Sequence, residues 1–227
     1  VHEVINEFEA LHAAGGALSG LGSGFPDLDK MTRGFQKGDM IVVAARPSVG
    51  KSSLAMNIAD HVSVELQRPV GVFSLEMSKK ALMMRQVCAR ARVNSRNIQE
   101  GFFSDRDFPK ITSAAGKLNG SPLYINDRSG INILQLRAKA RRMQQQHGIE
   151  LFVIDYLQLI HGHSKKAESN RQQEIAEISS GIKALAKELS IPIIVLAQLN
   201  RELEKDKSRK PRLSDLRESG SIEQDAD

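Results

Sequence analysis

The stretch that decides the fold runs from Met40 to Asn57 and reads MIVVAARPSVGKSSLAMN. Its apolar, β-branched start predicts a buried strand, and the alternating apolar pattern that begins at Leu54 predicts a helix. Between them, residues 45–52 match the phosphate-binding pattern G-x-x-x-x-G-K-[ST] at every defined position except the first, where alanine replaces glycine. A strand, a phosphate loop and a helix in this order predict nucleotide binding.

The residue types of this loop suit a phosphate group. The backbone N–H groups of such a loop turn toward one centre, and the positive end of the following helix adds to their attraction for phosphate. We expect Lys51 to reach the β- and γ-phosphates and Ser52 to hold Mg²⁺ through its hydroxyl. A solvated lysine in an ordinary strand-to-helix turn is the alternative. The other predicted nucleotide contacts in the loop are Ala45, Arg46, Pro47, Ser48, Val49, Gly50 and Ser53.

Length and composition narrow the class of protein. The 227 residues are enough for one large domain with a substantial core. The single cysteine excludes an intramolecular disulfide, and no Cys/His group has the spacing of a zinc site. No apolar stretch reaches the roughly 18 residues of a membrane span, and the acidic start VHEVINEFEA is unlike a signal peptide. These features predict a cytoplasmic protein that does not contact a membrane.

The chain divides into three segments. Residues 1–14 place apolar side chains at helical spacing, so they predict an amphipathic helix that docks on a neighbouring subunit or folds back on its own domain. Residues 15–24 carry five glycines and predict a flexible tether. Residues 25–227 form the main domain, and they begin with turn-forming residues over 25–39.

Strand and helix patterns alternate through this main domain. Further strands are predicted at Val70 to Leu75, Leu123 to Ile125, Leu151 to Ile154, and Ile191 to Leu196. Helical patterns lie between them, so the prediction is an α/β fold with a mostly parallel sheet flanked by helices. In the polar stretch 94–121, we expect Phe102, Phe103 and Phe108 to anchor the chain.

Three polar side chains lie where predicted strands end. A carboxylate at Asp155 can orient the hydrated Mg²⁺ that Ser52 also contacts. Glu76 could polarise an attacking water molecule, or it could be an ordinary acid in the first turn of the next helix. Gln198 could hydrogen-bond a γ-phosphate, or it could be an ordinary polar strand-end residue. Because the carboxyl ends of parallel strands share one edge, we expect all three there.

The segment 201–217 is rich in lysine and arginine and lacks aromatic residues. This composition favours contacts with a nucleic-acid backbone over base stacking, and a solvated charged loop is the alternative. The net charge of +5 permits such binding, although solubility alone explains a modest excess.

Six motifs resemble those of a known family. They are ARPSVGKSS, FSLEMS, VIDYLQLI, NRQQEIAEIS, LAQLNR and SDLRESGSIEQDAD, in this order. Together they resemble the motor domain of DnaB-type replicative helicases far more specifically than the phosphate loop alone. The resemblance implies a RecA-like P-loop NTPase that uses ATP and Mg²⁺. It also implies a homo-hexameric ring that translocates on single-stranded DNA, unwinds duplex at the replication fork, and works with a primase and a helicase loader.

The resemblance also implies roles for individual residues. Those in the nucleotide site are phosphate and Mg²⁺ binding for Lys51 and Ser52, catalysis for Glu76, metal binding for Asp155, γ-phosphate sensing for Gln198, and phosphate contact for Arg85. The alternative for Arg85 is a solvated helix arginine. Residues implied to hold the DNA backbone are Arg217, Glu218 and Gly220. Residues 1–14 correspond to the linker helix that docks on the next subunit.

One family feature, the arginine finger that a neighbour inserts into the ATP site, is expected beyond Asp227. We therefore expect residues 1–227 alone to bind ATP but to hydrolyse it slowly. Two other classes remain open at this point. They are a small-molecule kinase built on a phosphate loop, and a RecA-like filament or ATP-gated clamp that holds DNA without unwinding it.

Overall fold

A five-stranded parallel sheet forms the centre of the molecule. Its strands are β1 (Met40–Ala45), β2 (Val70–Ser74), β3 (Leu123–Asn126), β4 (Leu151–Asp155) and β5 (Ile193–Gln198). They lie in the order β1-β5-β4-β2-β3, and all four pairings are parallel. The carboxyl ends of all five strands therefore lie at one edge of the sheet. The computed structural model describes residues 18–102, 104–163, 170–199, 216 and 220–227.

Helices cover both faces of this sheet. They are α1 (Pro26–Thr32), α2 (Lys51–Asp60), α3 (Lys79–Ala91), α4 (Ser95–Gln99), α5 (Asp107–Asn119), α6 (Ile133–His147), α7 (Arg171–Leu189) and α8 (Gly220–Asp225). A π-helical turn, His61–Glu65, continues α2, and a 3₁₀ turn, Leu157–Leu159, follows β4. Within the described ranges, no helix has the length and apolarity needed to cross a membrane.

Alternation along the strands divides the core into two layers. Side chains such as Phe73, Phe152 and Ile154 point to one face, where they pack with α6 and α7. Their strand neighbours, such as Val72 and Val153, point to the other face and pack with α2. Because every residue of β2 and β4 is buried, the sheet is covered on both faces, as parallel sheets require. The predicted α/β fold is confirmed.

The stretch 94–121 differs from its prediction. Phe102 and Phe108, which the pattern predicted as anchors, are 75% and 62% exposed. Helix α5 instead buries Ala114 and Leu118. The helical period places Phe108 on a different face of α5 from these two residues, so burying them turns Phe108 outward. Phe103 lies outside the described residues.

The described part of the glycine-rich segment, 18–24, packs against the rest of the domain. Leu21 and Phe35 exchange backbone hydrogen bonds of 2.9 and 2.8 Å, and Ser23 is fully buried. Gly24 has a φ of +83° and lies so close to His61 that an added Cβ would come within 2.5 Å of the ring. At Gly24, the lack of a side chain permits this close packing. The helix predicted over 1–14 lies outside the described residues.

Some boundaries of the predicted elements also shift, among them those of the last strand, predicted at Ile191 to Leu196 and observed as β5, Ile193–Gln198. Residues 26–32 form a helix where turns were predicted, because Pro26 at its first position and acids in its first turn favour helix initiation. Strand β2 ends at Ser74 instead of Leu75, so Glu76 lies in the connection between β2 and α3.

Candidate nucleotide site

A cavity of about 440 Å³ lies at the carboxyl edge of the sheet. Its walls are Arg46, Pro47, Ser48, Gly50, Lys51, Ser52, Ser53, Glu76, Met77, Arg85, Tyr156 and Gln198. The structure therefore brings the predicted nucleotide residues together, apart from three that do not line the cavity itself. Ala45 is the last residue of β1, Val49 is 70% exposed, and Asp155 is buried at the end of β4.

The loop from β1 to α2 depends on two residues with positive φ. Ser48 has a φ of +63° and Gly50 a φ of +106°. The second value lies in the region that favours glycine, so the glycine of the motif is required by the backbone rather than by lack of space. Helix α2 then begins at Lys51, and its first intrahelical bond joins the Leu54 N–H to the Gly50 carbonyl at 2.9 Å. The preceding N–H groups have no partner within the helix and can serve an anion.

Lys51 lies between an aromatic ring and two acids. Its Nζ is 4.4 Å from the centroid of the Tyr156 ring, a cation–π distance. Burial lowers the pKa of Lys51 below its ordinary value, while the charges of Asp155 and Glu76 act in the opposite direction. The ammonium is partly stripped of water, so a phosphate that enters the cavity would be a strong additional partner.

Asp155 supplies a carboxylate that lacks a full set of partners. Its side chain is 5% exposed, and within the described residues its Oδ1 accepts no hydrogen bond. A buried carboxylate oxygen of this kind calls for a cation or an ordered water. Burial raises the pKa of the neighbouring Tyr156, and the charges of Glu76 and Asp155 raise it further, so this phenol stays neutral.

These residues fit a Mg²⁺ ion that is bound together with a nucleotide. Among the residues that the structure describes, no three His, Cys, Asp or Glu side chains converge to form a metal site on their own. Mg²⁺ usually takes one or two protein oxygens and completes its shell with phosphates and water. Asp155 and Ser52 are the groups that would hold it.

A larger cavity, of about 780 Å³, lies beside β1 and suits a nucleotide less well. Its lining includes apolar residues such as Phe35 and Met40, and the acids Asp39, Glu223 and Asp227. No lysine or arginine is part of the lining that the structure describes. Phosphate groups would be repelled there, so the smaller cavity is the candidate site.

Of the residues predicted to hold DNA, the structure describes only Gly220. Arg217 and Glu218 lie outside the described residues, as does the basic segment around them apart from Leu216. Gly220 is exposed at the start of α8. That helix is attached to α7, where the Ser179 hydroxyl donates to Asp225 Oδ2 at 2.5 Å.

Sequence reasoning missed Tyr156 and Met77 in the cavity wall. Tyr156 directly follows Asp155, so its position just beyond a strand end was a usable signal for the carboxyl edge. Met77 follows Glu76 in the connection between β2 and α3, and nothing in its residue type indicates a ligand site.

A parallel sheet, a phosphate loop after its first strand and acidic residues after neighbouring strands define a P-loop nucleotide-binding domain. Residues 20–227 match the family model described as DnaB-like helicase C terminal domain. This chain belongs to that family.

Individual relatives agree with this assignment. The chain is 48% identical over 225 residues to the replicative DNA helicase DnaB of Geobacillus stearothermophilus. The matched region covers 99% of this chain and 49% of that relative. The replicative DNA helicase DnaC of Bacillus subtilis (strain 168) is 47% identical over 225 residues, with the same coverage. The chain therefore spans about half the length of these relatives.

Solved structures show the same RecA-like fold. One of them, described as an ATPase domain, superposes with a TM-score of 0.92 at 35% identity, covering all of this chain and 80% of that one. A DnaB-like replicative helicase, studied for its interactions with primase, superposes with a TM-score of 0.90 at 35% identity, covering all of this chain and 54% of that one.

Proposed function

We propose that this chain is the ATP-hydrolysing motor unit of a replicative DNA helicase. One observation carries the proposal: Lys51, Glu76 and Asp155 come from separate elements and meet at the phosphate loop. Phosphoryl transfer consists mainly of positioning and charge stabilisation, and these are the charges it requires. A kinase would need the same loop, so the loop does not separate the two classes. Membership of the DnaB-like helicase family favours the helicase.

Each side chain has a role in this proposal. Lys51 binds the β- and γ-phosphates, and its charge stabilises the negative charge that builds up as the terminal phosphate leaves. Glu76 accepts a hydrogen bond from the attacking water and polarises it. The Gln198 amide contacts the γ-phosphate, and Arg85 contacts the phosphates from α3.

A metal ion completes the charge distribution. Mg²⁺, when bound, neutralises charge on the phosphate oxygens. The residues of this chain that would hold it are Ser52, through its hydroxyl, and Asp155, through the carboxylate oxygen that lacks a hydrogen bond. The stacking of Lys51 on Tyr156 keeps the ammonium beside the phosphate loop.

The larger assembly is part of the same proposal. We infer a homo-hexameric ring around single-stranded DNA in the cytoplasm, with the DNA backbone held by Arg217, Glu218 and Gly220. Residues 1–14 would dock on the neighbouring subunit, and a primase and a loader would act through other parts of the protein. Support comes from family membership and from a helicase of the same fold that interacts with primase.

Exchange of the loop lysine tests the proposal. Lys51→Ala should weaken ATP binding on the order of 10- to 100-fold, because it removes charge-assisted hydrogen bonds of about 1.5–3 kcal/mol. Lys117→Ala, at an exposed position of α5, is the matched control and should bind normally. Calorimetric titration with ATP and Mg²⁺ measures both. Equal affinities for the two variants would contradict the assigned site.

A further inference from the structure

Strand β5 continues further toward the cavity than its neighbour β4. The last paired residues of these two strands are Ile154 and Val195. On its other side, β5 stays paired with β1 as far as Ala45 and Gln198. The hydrogen-bond ladder between β5 and β4 therefore stops before β5 delivers Gln198 to the cavity.

The side chain of Gln158 takes the place of the missing strand there. Its Nε2 donates to the Gln198 carbonyl at 3.3 Å, and its Oε1 accepts from the Gln198 N–H at 3.3 Å. The primary amide of glutamine carries N–H donors and an acceptor oxygen side by side. One side chain therefore satisfies both backbone groups of Gln198, which a strand end would otherwise leave unpaired.

Gln158 is itself held in place by two kinds of contact. It lies in the 3₁₀ turn Leu157–Leu159, and the preceding Leu157 is completely buried. On the other side, Arg171 at the start of α7 donates from Nη2 to the Gln158 carbonyl at 2.6 Å. The same guanidinium pairs with Glu174. Core packing and an ion-paired arginine together fix the turn that presents the amide.

We propose that Gln158 is a positioning residue of the nucleotide site. Its amide fixes the backbone of Gln198, and the Gln198 side chain is thereby aimed at the γ-phosphate. The inference rests on the proposed function, which gives Gln198 that contact. Gln158 is absent from the cavity wall and acts only through Gln198. An error of about 1 Å in a contact group is enough to matter at such sites.

Two substitutions separate the amide from the volume of the side chain. Gln158→Leu keeps a similar size and removes both hydrogen bonds. Gln158→Glu is isosteric, but it loses the donor and sets a negative charge against the Gln198 carbonyl. Gln173→Leu, at an exposed position of α7, is the matched control for the glutamine-to-leucine change. If Gln158→Leu fails to fold, Gln158→Glu carries the test.

The readout is the recognition of the γ-phosphate. Dissociation constants of the 227-residue chain for ADP and for a hydrolysis-resistant ATP analogue are measured with Mg²⁺. Both Gln158 variants should bind the analogue about 3- to 10-fold more weakly, the effect of one or two neutral hydrogen bonds. Their ADP affinity should match that of the wild type and of Gln173→Leu. A purely structural role would weaken both ligands equally and overturn the inference.

A double-mutant cycle completes the experiment. Gln198→Ala should lose the same preference for the analogue, and Gln158→Leu should add no further loss in that background. Additive losses would overturn the inference, as would unchanged discrimination in the Gln158 variants when Gln198→Ala loses it. In the latter case the proposed function stands. If Gln198→Ala itself binds the analogue normally, the γ-phosphate contact in the proposed function is wrong, and the role of Gln158 fails with it.

Discussion

The two ends of β1 each place a lysine near an aspartate, and the two arrangements differ in how far the protein satisfies them. At the amino end, Lys183 contacts Asp227 in an ion pair. At the carboxyl end, Lys51 lies over the Tyr156 ring, and Asp155 Oδ1 accepts no hydrogen bond from the described residues. The amino-end pair is complete in itself, whereas the carboxyl-end groups are left for a ligand.

Electrostatics at the amino end explain why that pair is closed. Burial would raise the pKa of Asp227, but hydrogen bonds from Lys183 and the Met40 N–H, and the charges of Lys183 and Lys187, outweigh burial and lower it. The Lys183 ammonium also donates to the Gly38 carbonyl at 3.2 Å. Charge alone therefore does not mark a functional site. Between the two ends of β1, the difference is that the carboxyl end holds a charged group without a full set of partners.

The largest expected effect concerns ATP hydrolysis at the carboxyl end of β1, where the charged groups are left for a ligand. We call this the open end, and we call the amino end of β1, with its complete ion pair, the closed end. Glu76→Gln should lower the ATP hydrolysis rate about 10²- to 10⁴-fold, because it removes the charge that polarises the water while preserving size. ATP affinity should remain close to that of the wild type. Single-turnover hydrolysis, in an assembly where the wild-type rate is measurable, gives the comparison.

Glu223→Gln is the control for that measurement, since Glu223 lines the cavity at the closed end. Its hydrolysis rate should equal that of the wild type. If the Glu76→Gln rate also stayed at the wild-type level, Glu76 would have a structural role and would not polarise the attacking water.

The next largest effect is expected when each of the two lysines is replaced by methionine. Lys183→Met should lower the free energy of unfolding by about 1–2 kcal/mol, because it leaves Asp227 partly buried without its cation. Lys51→Met should be neutral or stabilising, since burial lowers the pKa of Lys51 and the folded state therefore disfavours its charge. Urea unfolding without nucleotide measures both. If Lys51→Met lost more free energy of unfolding than Lys183→Met, the distinction between the two ends of β1 would be contradicted.

The smallest effect is a pH dependence at the closed end. Because the folded-state pKa of Asp227 lies below its ordinary 3.8, its stabilising contribution is present above that value and is lost as the pH falls through the folded pKa. The stability difference between the wild type and Asp227→Asn should be below about 1 kcal/mol, since this carboxylate is partly exposed.

That difference should shrink in acid when urea unfolding is repeated from about pH 7 to about pH 3. Burial, followed by the charge of Asp227, raises the pKa of the neighbouring Asp39. Relief of Asp39 in Asp227→Asn therefore offsets part of the loss. If the stability difference between the wild type and Asp227→Asn grew in acid, the stabilising ion pair between Lys183 and Asp227 would be contradicted.

The parts of the site that could be predicted from the sequence are local. The phosphate loop is one contiguous motif, and Asp155 and Gln198 follow apolar runs that are visible in the chain. Their meeting at one edge follows from the rule for parallel strands. Glu76 was located equally well, although β2 ends two residues before it.

The parts that could not be predicted depend on which strands are neighbours. Gln158 meets Gln198 only because β4 and β5 are adjacent and end at different heights, and neither fact is written in a local pattern. The exposure of Phe108 depends on the face that α5 turns toward the protein. Hydrophobicity alone identified candidates for burial and could not choose among helix faces.

The contact between Lys51 and Tyr156 has an optical consequence. The chain has two tyrosines and no tryptophan, so its tyrosine emission comes from two rings and no indole masks it. Tyr124 stacks on the His147 ring at 3.9 Å, away from the phosphate loop. A nucleotide that draws the ammonium off the Tyr156 ring would change the emission of that ring. With Tyr124→Phe as a background, the molecule becomes a label-free sensor of its own occupancy, readable by tyrosine fluorescence in a stopped-flow instrument.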